Sequence, residues 1–366
     1  MTFVDLVFPA FLFIVGMSIP LALGARLDKR EPVWRTILHV LTRTASLLLV
    51  GIAVVNGSPD SSKLGWSASL WDSLMYLSAV LAFGSIAPPS RPGAHSDRPP
   101  MHRRVTLILR VVGFLSLFFL LFAYRGKDDH RIITLIPFSI HTRWYGILGL
   151  IGWAYLVGAM AFLFFRTQRT ALLGCTVLLM CLYSAARNGT FDHFWLNHYV
   201  GIGATLGSQP AITVAGLLLA SILITPDTAT VRQRSTFTLL FIAGCAGAAL
   251  LLHSLYGINK NSATPSWCLW ACAISATLWL AFYHLCDVHS IRRVTRPFSA
   301  AGENVLLAYL LAEMLPSVIE FVHLDDWYGW LAQPHLAFAV TRSAACAFLI
   351  LLFTTLLNRA GFRLRL

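Results

Sequence analysis

Charge is what this sequence has least of. Asp, Glu, Lys and Arg make up 12% of its 366 residues, whereas a water-soluble domain carries roughly 25%. That leaves too little polar surface to solvate a globule of this length. Acidic residues are scarcest, 16 against 28 Lys and Arg, for a formal net charge of +12. Such an excess suits nucleic acid when it gathers on one face. Here the cations are spread through short connectors between apolar blocks, which argues against a nucleic-acid partner. Also missing are a CxxC pair, a P-loop, a zinc-ligand pattern and a GxSxG elbow. The seven cysteines (175, 181, 245, 268, 272, 286 and 346) all lie in apolar stretches. Cys268 and Cys272 share a helix face at i,i+4, as small packing residues do, and no disulfides are expected.

What is present is hydrocarbon. The chain is 57% hydrophobic, with a mean hydropathy of +0.69. The apolar residues come in blocks of about twenty, the length that crosses ~30 Å of lipid. The pattern predicts an all-α, polytopic transmembrane bundle of about eleven helices, near 3–24, 34–56, 68–86, 103–124, 144–165, 171–186, 209–225, 235–255, 267–286, 298–320 and 337–358. Residues 1–366 read as a single integral membrane domain, interrupted by a Pro-rich, polar connector at 88–100 (PPSRPGAHSDRPP). One alternating set of connectors, with the tail, holds eighteen Lys and Arg; the other set holds seven. Cations mark the cytoplasmic side, so the 88–100 connector and the C-terminus are expected inside and the N-terminus outside.

Three groups of residues stand out as chemistry. In the outer segment 187–210, Asp192, His193, Asn197 and His198 lie among aromatics, followed by Gly201, Gly203 and Gly207. Such a set suits a sugar or acyl-transfer site at the water boundary, and equally an interfacial aromatic belt with a Gly-rich turn. Charges in or at the ends of apolar blocks form the second group: Asp5, Arg43, Arg110, Asp287, Glu303, Glu313, Glu320 and Arg342. Glu313 and Arg342 fit either a helix–helix ion pair or a functional site. The third is the outer junction 256–267, where Asn259, Lys260 and Asn261 precede a Trp-rich helix. Its hydroxyls read as helix caps; two Asn flanking a Lys suit a polar acceptor or a developing oxyanion. Small-residue runs at 146–158 and 243–249 are expected to let helix backbones approach closely.

Several segments, taken together, resemble one family. DLVFPAFLFIVGMSIPLAL (5–23), GIGATLGSQPAITVAGLLLASIL (201–223), GINKNSATPSWCLW (257–270) and PFSAAGENVLLAYLLAE (297–313) are similar, in the same order, to heparan-α-glucosaminide N-acetyltransferases and their bacterial relatives. Residues 103–186 match that pattern poorly. The resemblance implies an enzyme of the bacterial inner membrane, with acetyl-CoA as acyl donor and an extracytoplasmic amino sugar or polysaccharide as acceptor. It implies that Asp5, Asn259, Lys260, Asn261, Asn304 and Glu313 line the substrate site.

The family's histidine lies shortly before the DLVFP segment, and this chain starts four residues before Asp5. A truncated or mis-started chain is therefore expected, with a natively short, inactive form as the other reading. The orientation argument asks independently for one more helix ahead of Asp5. His193 and His198 are the histidines left to replace the missing base. Alternatives are a transporter or flippase component for a polar lipid or glycan, and a silent partner subunit. The bilayer is a partner in every case, and self-association stays open.

Overall fold

The structure is a computed structural model and describes residues 2, 4–56, 59–86, 100–127, 130–135, 138–140, 144–224, 230–293, 295–331, 333 and 335–364. Apart from Pro100, the 88–100 connector lies outside the described residues, as do His141, Asp128 and Asp129. The chain is all-α and 80% helical. In order, the elements are α1 (Val4–Asp28), α2 (Val33–Val55), α3 (Ser61–Leu64), α4 (Ala68–Phe83), β1 (Gly84–Ile86), α5 (Pro100–Ala123), β2 (Ile133–Leu135), β3 (Phe138–Ile140), α6 (Gly146–Phe165), α7 (Arg169–Arg187) and α8 (Trp195–Tyr199). They continue with a π-helical turn (Ile202–Ser208) leading into α9 (Gln209–Ile224), then α10 (Val231–Tyr256), α11 (Pro265–Tyr283), a second π turn (His284–Val288), α12 (Arg296–Glu303), α13 (Val305–Phe321), α14 (Asp325–Trp330), α15 (Leu336–Arg359) and β4 (Phe362–Leu364).

Among the described residues, nine helices are long and apolar enough to cross a membrane. The α12–α13 pair, bent by 92°, makes a tenth if it is one span. Whole helix faces are apolar and exposed, such as Leu239, Leu240, Leu250 and Leu251 on α10 and Leu336, Phe338, Phe348 and Leu349 on α15. Water would not tolerate patches of that extent, whereas lipid is the solvent they match. The protein is an integral membrane protein.

By internal contacts the chain forms two units. The first comprises Met1–Gly51 and Tyr145–Ile291, with α9 at its centre. Nearly every α9 side chain from Gln209 to Ser221 is buried. Phe13, Ile19, Tyr155, Ile212, Trp267 and Cys272 belong to the core around it. Glycine makes this packing possible. A Cβ on Gly16 would overlap the Thr213 carbonyl of α9, and one on Gly216 would overlap the Phe13 carbonyl of α1. Gly149 lies against Gly51, and Gly158 against Thr213. The 146–158 run thus does what its composition predicts, since small residues bring membrane helices to backbone contact. The 243–249 run does so in part: α10 packs on α11 and Ala249 is fully buried, whereas an added Cβ on Gly244 or Gly247 would meet nothing within 4 Å.

The second unit comprises Ile52–Trp144 and Arg292–Leu366, with α4 packed on α5 and α13. Buried Trp71 donates from Nε1 to the Leu120 carbonyl at 3.2 Å and meets Tyr124 edge-on. The 68–86 helix ends early, at Phe83, because Gly84–Ile86 turn extended and pair antiparallel with Phe362–Leu364. The expected 298–320 helix is broken at Asn304, whose buried amide donates to the Phe362 carbonyl at 3.2 Å and accepts from the Leu364 N–H at 3.1 Å. The loop 125–143 contains a short hairpin, β2–β3, which hydropathy does not reveal.

Candidate functional site

Three of the four segments sharing the family pattern, 5–23, 201–223 and 257–270, meet at one end of the first unit. Asp5 sits in the first turn of α1. Its Oδ2 accepts from the Thr2 N–H at 2.8 Å and the Thr2 hydroxyl at 3.0 Å. That leaves Oδ1 to face the Lys260 ammonium at 3.6 Å. Both side chains are partly exposed, so solvent screens the pair.

Lys260 is presented by a braced loop. Gly257 ends α10 with φ +63°, a conformation that glycine takes without strain. Thr264 Oγ1 accepts from the Asn259 N–H at 3.0 Å and donates to the Gly257 carbonyl at 3.1 Å, and Ser266 Oγ donates to that same carbonyl. Thr264 is the N-cap of α11 but makes no side-chain cap bond. The hydroxyls therefore brace the loop rather than cap the helix, contrary to expectation. Asn259 is also part of the brace, its Oδ1 accepting from the Ser262 N–H at 3.1 Å. Asn261 differs: it is exposed, and among the described residues its side chain makes no hydrogen bond.

The third segment approaches from the other side of the same end. The Gly-rich stretch expected as a turn is π-helical from Ile202 to Ser208. Its glycines serve close approach to α7: a Cβ on Gly203 would crowd Ala186, and one on Gly207 the Leu179 carbonyl. Asn197 Oδ1 accepts from the Ile202 N–H at 3.0 Å, and Ser208 Oγ donates to the Ala263 carbonyl at 2.6 Å, tying α9 to the 257–264 loop. An open cleft of about 400 Å³ lies here, lined by Tyr183, Arg187, Asn197, Gly201 and Ser262 among others. His193, on the neighbouring loop, and His198, on α8, remain exposed and do not line it.

Asn304 and Glu313 belong to the second unit. The Asn304 amide is engaged with the C-terminal strand, as described above. Glu313 is exposed, beside Tyr309 and Tyr76. It forms no ion pair with Arg342 among the described residues. Arg342 instead donates to the Tyr328 carbonyl at 2.7 Å and lies 4.0 Å from that ring's centre. Other charges in apolar helices also have local structural partners. Arg43 stacks on Tyr155, Arg110 donates to the Gly84 carbonyl at 2.9 Å, and Glu303 pairs with Arg363 at 3.3 Å. Arg187 is the residue that sequence reasoning passed over. It entered only as a connector cation, yet it lines the cleft and lies over the Tyr256 ring at 5.9 Å.

Fold and site together define a polytopic integral membrane protein with an open cleft at the helix ends of one unit. Residues 1–190 match the family described as a domain of unknown function, DUF5009, and the chain belongs to that family. No curated protein matches it.

Proposed function

We propose that the protein is a membrane acyltransferase of the bacterial inner membrane, transferring acetyl from acetyl-CoA to an extracytoplasmic amino sugar or polysaccharide. The observation that supports this reading is the Asp5–Lys260 pair. It joins the DLVFP helix to the Asn-Lys-Asn loop, while Ser208 joins the Gly-rich segment to that loop. Segments far apart in the chain thus converge on one polar end, the end that the cation distribution assigns to the outside.

The chemistry is amide formation. The acceptor amine attacks the thioester carbonyl, the tetrahedral oxyanion collapses, and the CoA thiolate leaves. Lys260 and Asn261 are the donors available to the oxyanion, and Asp5 holds the ammonium in place. The amine's proton passes to a base and on to the departing thiolate. His193 and His198 are proposed for the part of that base.

The direct test is release of CoA thiol from acetyl-CoA by the purified, lipid-reconstituted protein on addition of glucosamine. Release that requires the amino sugar supports the reading. No release, together with counterflow of the sugar in the same proteoliposomes, supports a transporter instead.

A further inference from the structure

The first unit leaves a groove in its flank that its own helices do not fill. α7 packs on α9, and α10 packs on α11. Between them lies a cavity of about 470 Å³, walled by Met180, Ala215, Leu218, Gly244 and Ala248 among other largely apolar residues. Gly244 has open space where a side chain would stand, so the small residues of α10 hollow this wall rather than seat a helix. At one end of the groove Ser184 and Tyr256 share a hydrogen bond of 2.7 Å. There the groove meets the cleft, because Tyr183 lines the cleft and its neighbour Ser184 lines the groove. Arg187 stands at the junction, over the ring of Tyr256. It makes no ion pair among the described residues.

An apolar slot within the membrane, opening at an arginine without a carboxylate, matches an amphiphile with one long hydrocarbon chain and a phosphate. Guanidinium is the side chain best shaped for a phosphate, and the slot excludes ligands that are polar along their length. We propose that groove and cleft together hold a polyisoprenyl phosphate, its chain between α7 and α10 and its phosphate at Arg187. Resting on the acyltransferase reading, this makes the acceptor a lipid-linked amino sugar, its sugar carried toward Ser262 and Asn261.

The test uses the full-length protein in phosphatidylcholine nanodiscs and measures binding of a long-chain polyisoprenyl phosphate. Gly244→Phe fills the groove and is expected to abolish binding. Gly247→Phe, on the same helix with equally open surroundings but outside the groove lining, is expected to bind as the wild type does. Arg187→Gln is expected to weaken binding about tenfold, the scale of one lost charge-assisted contact. Undiminished binding by Gly244→Phe, or equal competition by phosphatidylglycerol, overturns the proposal. Acetyl transfer to free glucosamine and to polyisoprenyl-phosphate-linked glucosamine, measured on the same preparations, keeps the two questions apart. Transfer without lipid binding overturns the lipid site alone. Lipid binding without transfer leaves the site standing and removes the acyltransferase reading.

Discussion

Lys260 Nζ stands 3.6 Å from Asp5 Oδ1, which joins the first turn of α1 to the loop between α10 and α11. The pair is partly exposed and solvent screens it, so its coupling in a double-mutant cycle of thermal unfolding is expected to be small. Its effect on transfer is expected to be far larger. Asp5→Asn and Lys260→Gln should each lower the acetylation rate tenfold or more while melting close to wild type. Equal losses of rate and stability would make the pair structural only.

Asn259 and Asn261 look alike in sequence and are expected to behave differently. Asn259→Ala removes the acceptor of the Ser262 N–H and should cost about 1 kcal/mol of stability. Asn261→Ala removes an exposed amide and should leave melting unchanged while slowing transfer. Thermal unfolding and CoA release, read on both variants, separate the roles; an unchanged rate in Asn261→Ala counts against its place in the site.

Glycine substitutions should divide by neighbour. Gly16→Leu forces side-chain atoms into the Thr213 carbonyl and is expected to destabilise by about 1–3 kcal/mol or more. Gly247→Leu meets open space and should stay within about 0.5 kcal/mol of wild type. Size-exclusion profiles after graded heating report both. A heat-stable Gly16→Leu would contradict the backbone contact between α1 and α9.

His193 and His198 are exposed, so alanine at either should leave folding intact. If one is the general base, its alanine variant loses about 10²-fold or more in rate. Full activity in both variants assigns the base elsewhere.

Hydropathy made the spans legible because lipid contact demands about twenty apolar residues whatever they pack against. Each of the eleven apolar blocks corresponds to a helix, to the bent α12–α13 pair or to the shorter α4. The departures are places where tertiary partners decided. β4 captured Gly84–Ile86, Asn304 broke its helix to hold the same strand, and a glycine-rich stretch packed close on α7 is π-helical rather than a turn. Within the site, the polar types of Asp5, Lys260 and the two asparagines were visible. Their division into brace and exposed donor was not, since it depends on which backbone N–H each amide meets. Arg187 stayed hidden for the same reason: its meaning comes from Tyr256 beneath it.

The most direct test of acetyl transfer is sidedness. Acetyl-CoA carrying a labelled acetyl group is added to the cytoplasmic face of oriented proteoliposomes, with glucosamine confined to the opposite face. Label appearing in N-acetylglucosamine on the far side, and disappearing with Lys260→Gln, is the predicted result. Intact labelled acetyl-CoA after prolonged incubation with folded protein would contradict the account.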